Sequence, residues 1–154
     1  MKGGDIIKAP CRSIWESVHE GFELEIHVVD HCNLKCAGCN HFAPLADPYF
    51  IDRDHFNNQL KMVKEKLPSI QRLILLGGEP CLHPDLSLLC ADARSIFPTI
   101  DIQVLTNGSL LDCIIKDSDI YLRDRIFFSI SKYIDIDYDE KKIEQIKNLG
   151  IGND

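Results

Sequence analysis

The sequence is short of positive charge, of tryptophan and of long apolar runs, and the first and last of these exclude whole classes of function. Lys and Arg together number 17 against 24 Asp and Glu, a formal net charge of −7. A partner held through phosphates wants a basic face, so nucleic acid is not expected, and neither is an anionic membrane surface. No stretch nears the roughly 18 consecutive apolar residues that a membrane helix needs. The opening Met1–Pro10 segment has no apolar run of signal-peptide length. A cytoplasmic protein is therefore expected. With 45% hydrophobic and 27% charged residues and no low-complexity run, the 154-residue chain has the composition of one ordinary folded domain. Cysteine, by contrast, is plentiful. Seven cysteines in a reducing compartment are thiols or metal ligands rather than disulfides, and Cys32, Cys36 and Cys39 fall within eight residues.

Two kinds of segment alternate along the chain. Leu24–Val29 is short and rich in β-branched residues, as a strand is. A cysteine-rich loop runs from His31 to about Ile51. Asp52–Lys66 has Phe56, Leu60, Val63 and Leu67 at near-helical spacing with Asp52 placed as a cap, and Pro68 to end it. Arg72–Leu76 is a continuous apolar run of the kind buried on both faces of a sheet. Pro84–Phe97 reads as a second helix, Ile100–Leu105 as a third strand, Leu110–Lys116 as a short helix, Arg125–Ser131 as a fourth strand and Tyr138–Leu149 as a helix ending at Gly150. The acidic run from Asp135 to Glu140 suits that last helix start. Four strand–helix repeats predict an α/β fold with parallel strands and right-handed crossovers. The unusual loops then share one rim: the cysteines after the first strand, Gly77-Gly78-Glu79-Pro80 after the second, Thr106-Asn107-Gly108 after the third.

Cys32–Cys39 reads C-N-L-K-C-A-G-C. Three thiolates at this spacing can fold round one small inorganic centre, with Gly38 relaxing the backbone. A cubane held by three cysteines leaves one iron open to a further ligand. Structural zinc completed by His31 or His41 is the alternative, although zinc pairs its cysteines more often as C-x2-C.

C-x3-C-x2-C after the first strand, with Gly-Gly-Glu-Pro after the second, resembles the radical S-adenosylmethionine (SAM) superfamily over roughly Leu24–Leu149. The longer run C-N-H-F-A-P-L-A and the later I-S-K-Y resemble a bacterial subgroup of that superfamily. The resemblance implies a parallel partial (βα) barrel, with residues 1–23 as an N-terminal extension and 24–154 as the core. It implies a 4Fe–4S cluster on Cys32, Cys36 and Cys39, with the amino and carboxylate groups of SAM on the fourth iron. Gly77 and Gly78 would admit the methionyl part of SAM, Glu79 would face its ammonium group and Pro80 would fix the turn. Thr106, Asn107 and Ser129 or Ser131 would contact its ribose or carboxylate. The position before the third cysteine, aromatic in many members, is Gly38 here. Reductive cleavage of SAM would give a 5′-deoxyadenosyl radical that takes a hydrogen atom from a substrate, which the resemblance does not identify. A flavodoxin- or ferredoxin-like electron donor is also implied. A glycyl-radical activating enzyme that acts on a partner protein has a similar cysteine loop, and a non-catalytic zinc-binding module or inactive remnant is the reading from another class.

The remaining tempting residues have plain readings. Cys81 directly follows Pro80 and faces the expected site, most simply as a small buried thiol. Cys90 and Cys113 suit helix positions, and Cys11 has no evident partner. His27 reads as a hydrogen-bonded core histidine, whereas His41 and His83 sit in site-facing loops and are candidates for substrate contact. Length sets one further expectation. An eight-unit barrel takes about 250 residues, so a six-unit partial barrel needs roughly 180. About four units are present, which points to a truncated core with an unpaired edge beside the fourth strand, or to completion by a second copy or partner chain.

Overall fold

The computed structural model describes residues 21–67, 69–133 and 136–152. Most of the expected N-terminal extension, with Cys11, and also Pro68 and Asp135 lie outside the described residues. Four strands form one sheet: β1 (Phe22–Val29), β2 (Ile70–Gly77), β3 (Asp101–Thr106) and β4 (Ile126–Ile130). They are all parallel and lie in the order β1-β2-β3-β4. Strands that follow their sequence order with right-handed crossovers put every helix on one side, as in a barrel wall, whereas a doubly wound sheet reverses direction.

The helices are α1 (Arg53–Lys66), α2 (Leu86–Ile96), α3 (Leu111–Lys116), α4 (Ser118–Arg123) and α5 (Glu140–Asn148). α1 begins where its cap is expected, with the Asp52 carboxylate accepting from His55 N at 2.9 Å. Asp139 caps α5 in the same way, accepting from the amides of Lys141 and Lys142. One element departs from expectation. The short helix expected over Leu110–Lys116 is present as α3, but a further six-residue helix, α4, follows it across Asp117 where none is expected, and six residues are too few to show a periodic pattern.

Alternation along the strands sends Leu73, Leu75, Ile102, Val104, Ile126 and Phe128 to the helix side. There they pack with Phe56 and Leu60 of α1, Leu89 and Ala93 of α2, Ile114 of α3, Tyr121 of α4, and Ile143 and Ile146 of α5. The Tyr121 and Phe128 rings meet edge to face, 4.8 Å apart.

Among the described residues the opposite face carries no helix, and its residues stack in register. Glu23, Arg72 and Asp101 form the lowest row, with Arg72 at 2.6 Å from Glu23 and 3.7 Å from Asp101. Glu25, Ile74, Gln103 and Phe127 form the next. His27 pairs with Leu76, and Leu105 with Ser129, nearest the rim. His27 is therefore not a core residue: it is exposed on this open face, where its Nε2 shares a hydrogen bond with His41 Nδ1 at 3.1 Å.

Both sheet edges are engaged. Beside β1 the returning chain makes an antiparallel bridge between Val29 and Phe50, with Ile51 N donating to Val28 O at 3.0 Å. Beside β4 the expected bare edge is instead met by residues 151–152. Phe128 N donates to Ile151 O at 2.6 Å, and Phe128 bridges Gly152 in parallel. Buried Ile151 anchors this return. Among the described residues no helix is long and apolar enough to cross a membrane.

Leu75 is fully enclosed whereas Leu88 on α2 is 39% exposed. Leu75→Ala is expected to cost about 3 kcal/mol, within the range for emptied core positions, and Leu88→Ala under about 1 kcal/mol. Denaturant unfolding of both variants beside the parent checks the contrast.

Candidate functional site

Backbone contacts fix the start of the cysteine loop to the sheet. Gly78 N donates to Val29 O at 2.8 Å, and Glu79 N donates to His31 O at 3.1 Å. A Cβ on Gly77, whose φ is 152°, would fall on the Val29 carbonyl, and one on Gly78 would fall on the His31 carbonyl, 2.8 Å from Cys32 N. The two glycines are thus required by the approach of one strand end to another, which sets Cys32 at the rim. Further along, Cys39 N donates to Cys36 O, Phe42 N to Cys39 O, and a short 3-10 turn at Ala43–Leu45 closes the loop. Gly38 has nothing within 4 Å of where a Cβ would stand.

Glu79 ties the second loop to the third. It is wholly buried, and among the described residues its contacts are hydrogen-bond donors rather than a cation. Oε1 accepts from Thr106 Oγ1 at 2.7 Å and from Cys81 N at 2.9 Å, while Oε2 accepts from Asn107 N at 2.8 Å. Three donors of this kind offset the cost of enclosing a carboxylate. Asn107 then extends the tie to the first loop. Its Nδ2 donates to Asn33 Oδ1 at 3.0 Å and lies 3.6 Å from Cys32 Sγ. Its Oδ1 accepts from Ser109 N and Ser109 Oγ, and Ser109 Oγ in turn accepts from Asn33 Nδ2 at 2.7 Å.

These loops enclose a cavity of about 440 Å³. Cys32, Cys36 and Cys39 line it together with Gly77, Gly78, Thr106, Asn107 and Ser131. Burial pushes the Cys32 thiol up, helped by the charge of Glu79 and opposed by the Leu34 amide and Asn107. A bound cation would reverse that preference, because a metal stabilises the thiolate. Among the described residues no group of three His, Cys, Asp or Glu side chains is gathered to hold one metal ion.

Other expected residues are placed elsewhere. The Glu79 carboxylate is turned into the protein rather than into the cavity, and buried Pro80 opens a 3-10 turn behind it. Ser129 lies on the open face of β4, in the row nearest the rim, but is not among the residues that line the cavity. Cys81 is buried, 3.7 Å from Thr106 Oγ1, and its thiol is pushed well up by the Cys113 thiol and by burial. Enclosure likewise holds Cys90 protonated. His83 is buried with both nitrogens engaged, by Ile51 O and Asp85 N at 3.0 Å each, so it is committed to loop structure. His41 does line the cavity.

Residue-by-residue reading missed Tyr133, Asn33 and Ser109. Tyr133 lines the cavity, and its phenol is pushed up first by burial and then by the nearby thiols of Cys36, Cys32 and Cys39. The I-S-K-Y run carried the signal for it. Asn33 and Ser109 are ordinary loop residues whose importance comes only from meeting Asn107.

Residues 26–152 match the radical SAM superfamily. The chain is 32% identical over 93 residues to GTP 3′,8-cyclase of Microcystis aeruginosa, covering 58% of this chain and 28% of that one. It is 34% identical over 98 residues to GTP 3′,8-cyclase of Trichodesmium erythraeum, covering 61% and 30%. In fold it is similar to the crystal structure of BtrN in complex with AdoMet and 2-DOIA, with a TM-score of 0.68, 17% identity, and coverage of 85% of this chain and 55% of that one. The matches thus span less than a third of these curated relatives. The chain belongs to the radical SAM superfamily, whose cofactors are a 4Fe–4S cluster and SAM.

The residues present fit that pair. In a cluster each thiolate binds a different iron, so three thiols spread round a cavity suit it better than they suit one zinc ion. The cavity is continuous past the cysteines to Thr106, Asn107 and Ser131, which offer neutral polar groups beside the cluster position.

Replacing Glu79 by Gln removes the charge and turns part of an acceptor into a donor facing Thr106 Oγ1 and Asn107 N. A loss of about 1–3 kcal/mol is expected, together with faster amide exchange at Asn107. Denaturant unfolding and hydrogen exchange followed by NMR check both.

Proposed function

We propose that this chain is the cluster- and SAM-binding part of a radical SAM enzyme. Cys32, Cys36 and Cys39 each hold one iron, and the fourth iron is left for SAM. The reading is supported chiefly by one observation: all three cysteines line the same cavity as Gly77-Gly78, Thr106, Asn107 and Ser131. With both cofactors bound, one-electron reduction of SAM supplies methionine and a 5′-deoxyadenosyl radical that takes a hydrogen atom from the substrate.

The chain's own residues position and enclose. Gly77 and Gly78, packed against Val29 and His31, line the cavity with the end of β2, where a ligand's amino acid moiety can lie. Glu79 serves as a positioning residue: it fixes Thr106 and Asn107, which face the ligand. Asn107 Nδ2 directs a donor at Cys32 Sγ, which favours the charged thiolate. Thr106, Asn107 and Ser131 are the candidates for the ribose and carboxylate of SAM. Leu34, Leu76, Leu105 and Pro44 supply apolar wall that limits water around a reactive radical. His41, on the side nearest the open sheet face, is the candidate for substrate contact, with His27 orienting its ring. The electron comes from a flavodoxin- or ferredoxin-like protein. The substrate and the steps after hydrogen abstraction are unassigned, since the named cyclases extend far beyond the matched region.

Anaerobic reconstitution with iron and sulfide tests this directly. The parent chain is expected to bind about four irons and, with dithionite, to convert SAM to 5′-deoxyadenosine and methionine. Cys32→Ser, Cys36→Ser and Cys39→Ser should each lose most of the iron and all of the cleavage, while Cys113→Ser retains both. Equal iron content across all five proteins would refute the assignment.

A further inference from the structure

The wall that separates the cofactor cavity from the outside is thin at one place. A groove of about 520 Å³ runs over the outer surface of the cysteine loop, lined by Leu34–Ala37 and by Lys132, Tyr133 and Ile136. Leu34, Cys36 and Tyr133 line both this groove and the inner cavity. Cys36, with Leu34 and Tyr133, therefore stands between the cofactor cavity and the groove. The groove along α5, lined by Glu140, Glu144 and Leu149 among others, shares no residue with the cavity.

The chemistry of the outer groove is specific. Leu34, Ala37, Tyr133 and Ile136 give it an apolar centre, and Tyr133 is 43% exposed. Two exposed lysines flank that centre in a chain whose net charge is −7. Lys35 has no ion-pair partner among the described residues. Lys132 holds Glu140 at 2.8 and 2.9 Å in an exposed pair, which contributes little and which an incoming carboxylate can contest. An apolar centre with a charged rim is how protein–protein contacts are built, and the rim charges set partner and encounter rate.

We propose that this groove is the docking face for a small acidic one-electron carrier protein, whose redox centre sits against Leu34, Ala37 and Tyr133 while its carboxylates meet Lys35 and Lys132. The carrier loses one electron and the cluster gains it across Cys36, with no bond made or broken. The inference rests on the cluster reading above and adds where the electron enters.

Reduced flavodoxin is the probe. Cluster reduction is followed as the loss of visible absorbance in stopped flow, for the parent chain and for Lys35→Glu and Lys132→Glu, with dithionite as the small-molecule control. Each charge reversal is expected to slow reduction by flavodoxin at least fivefold at low salt and to leave the dithionite rate unchanged. Rising salt should erase the difference, since surface attraction is screened. Unchanged flavodoxin rates in both variants would overturn the proposal. Oxidised flavodoxin added to the isotopically labelled chain gives a second readout, which is scored whether or not a cluster assembles. Selective broadening of the amide signals of residues 34–37, 132, 133 and 136 supports the groove, and broadening confined to another face overturns it. A chain that takes up no iron but binds flavodoxin at the groove would count against the cluster reading while sustaining the docking face.

Discussion

Glu79 carries a full charge into the interior, and everything at the rim is arranged to satisfy it. Its carboxylate takes hydrogen bonds from Thr106 Oγ1, Asn107 N and Cys81 N, so the ends of β2 and β3 cannot part without leaving a buried charge unpaired. Such a loss is among the costlier single defects a fold can suffer. Asn107, held in place by that carboxylate, in turn meets Cys32 and Asn33. One side chain with no surface exposure thus orders three loops that sequence separates by up to 75 positions.

The glycines complete this arrangement from the other direction. Gly77 and Gly78 let the backbone of β2 lie directly against Val29 and His31, where no side chain would fit. The polar tie through Glu79 joins this turn to the end of β3, and the steric contact through the glycines joins it to the end of β1. Between them, the position of Cys32 is decided by the sheet rather than by the loop that contains it. A site built in this way gains precision from rigid elements, while half-buried Cys36, farther along the loop, also borders a second groove on the outside.

Much of the fold was legible because its signals are local. The run at Arg72–Leu76 and the spacing of Phe56 and Leu60 identify a strand and a helix without reference to any partner. The convergence of three odd loops on one rim also followed, once four strand–helix repeats implied parallel strands. What stayed hidden depends on neighbours. Nothing in Glu79 itself tells whether its carboxylate faces a ligand or two backbone amides. Gly78 is equally silent on whether its missing side chain makes room for a cofactor or for His31. His27 sits in an alternating strand, yet it is a surface residue that bonds His41 because none of the described helices packs on its face of the sheet. The short helix α4 was invisible because six residues show less than two turns of periodicity.

The central claim is that three thiols round one cavity hold a cluster with one iron free for SAM. Electron paramagnetic resonance of the reduced, anaerobically reconstituted chain, recorded with and without SAM, tests it most directly. A 4Fe–4S signal that changes shape on addition of SAM is the predicted result. A colourless protein, or a cluster signal indifferent to SAM, would contradict it.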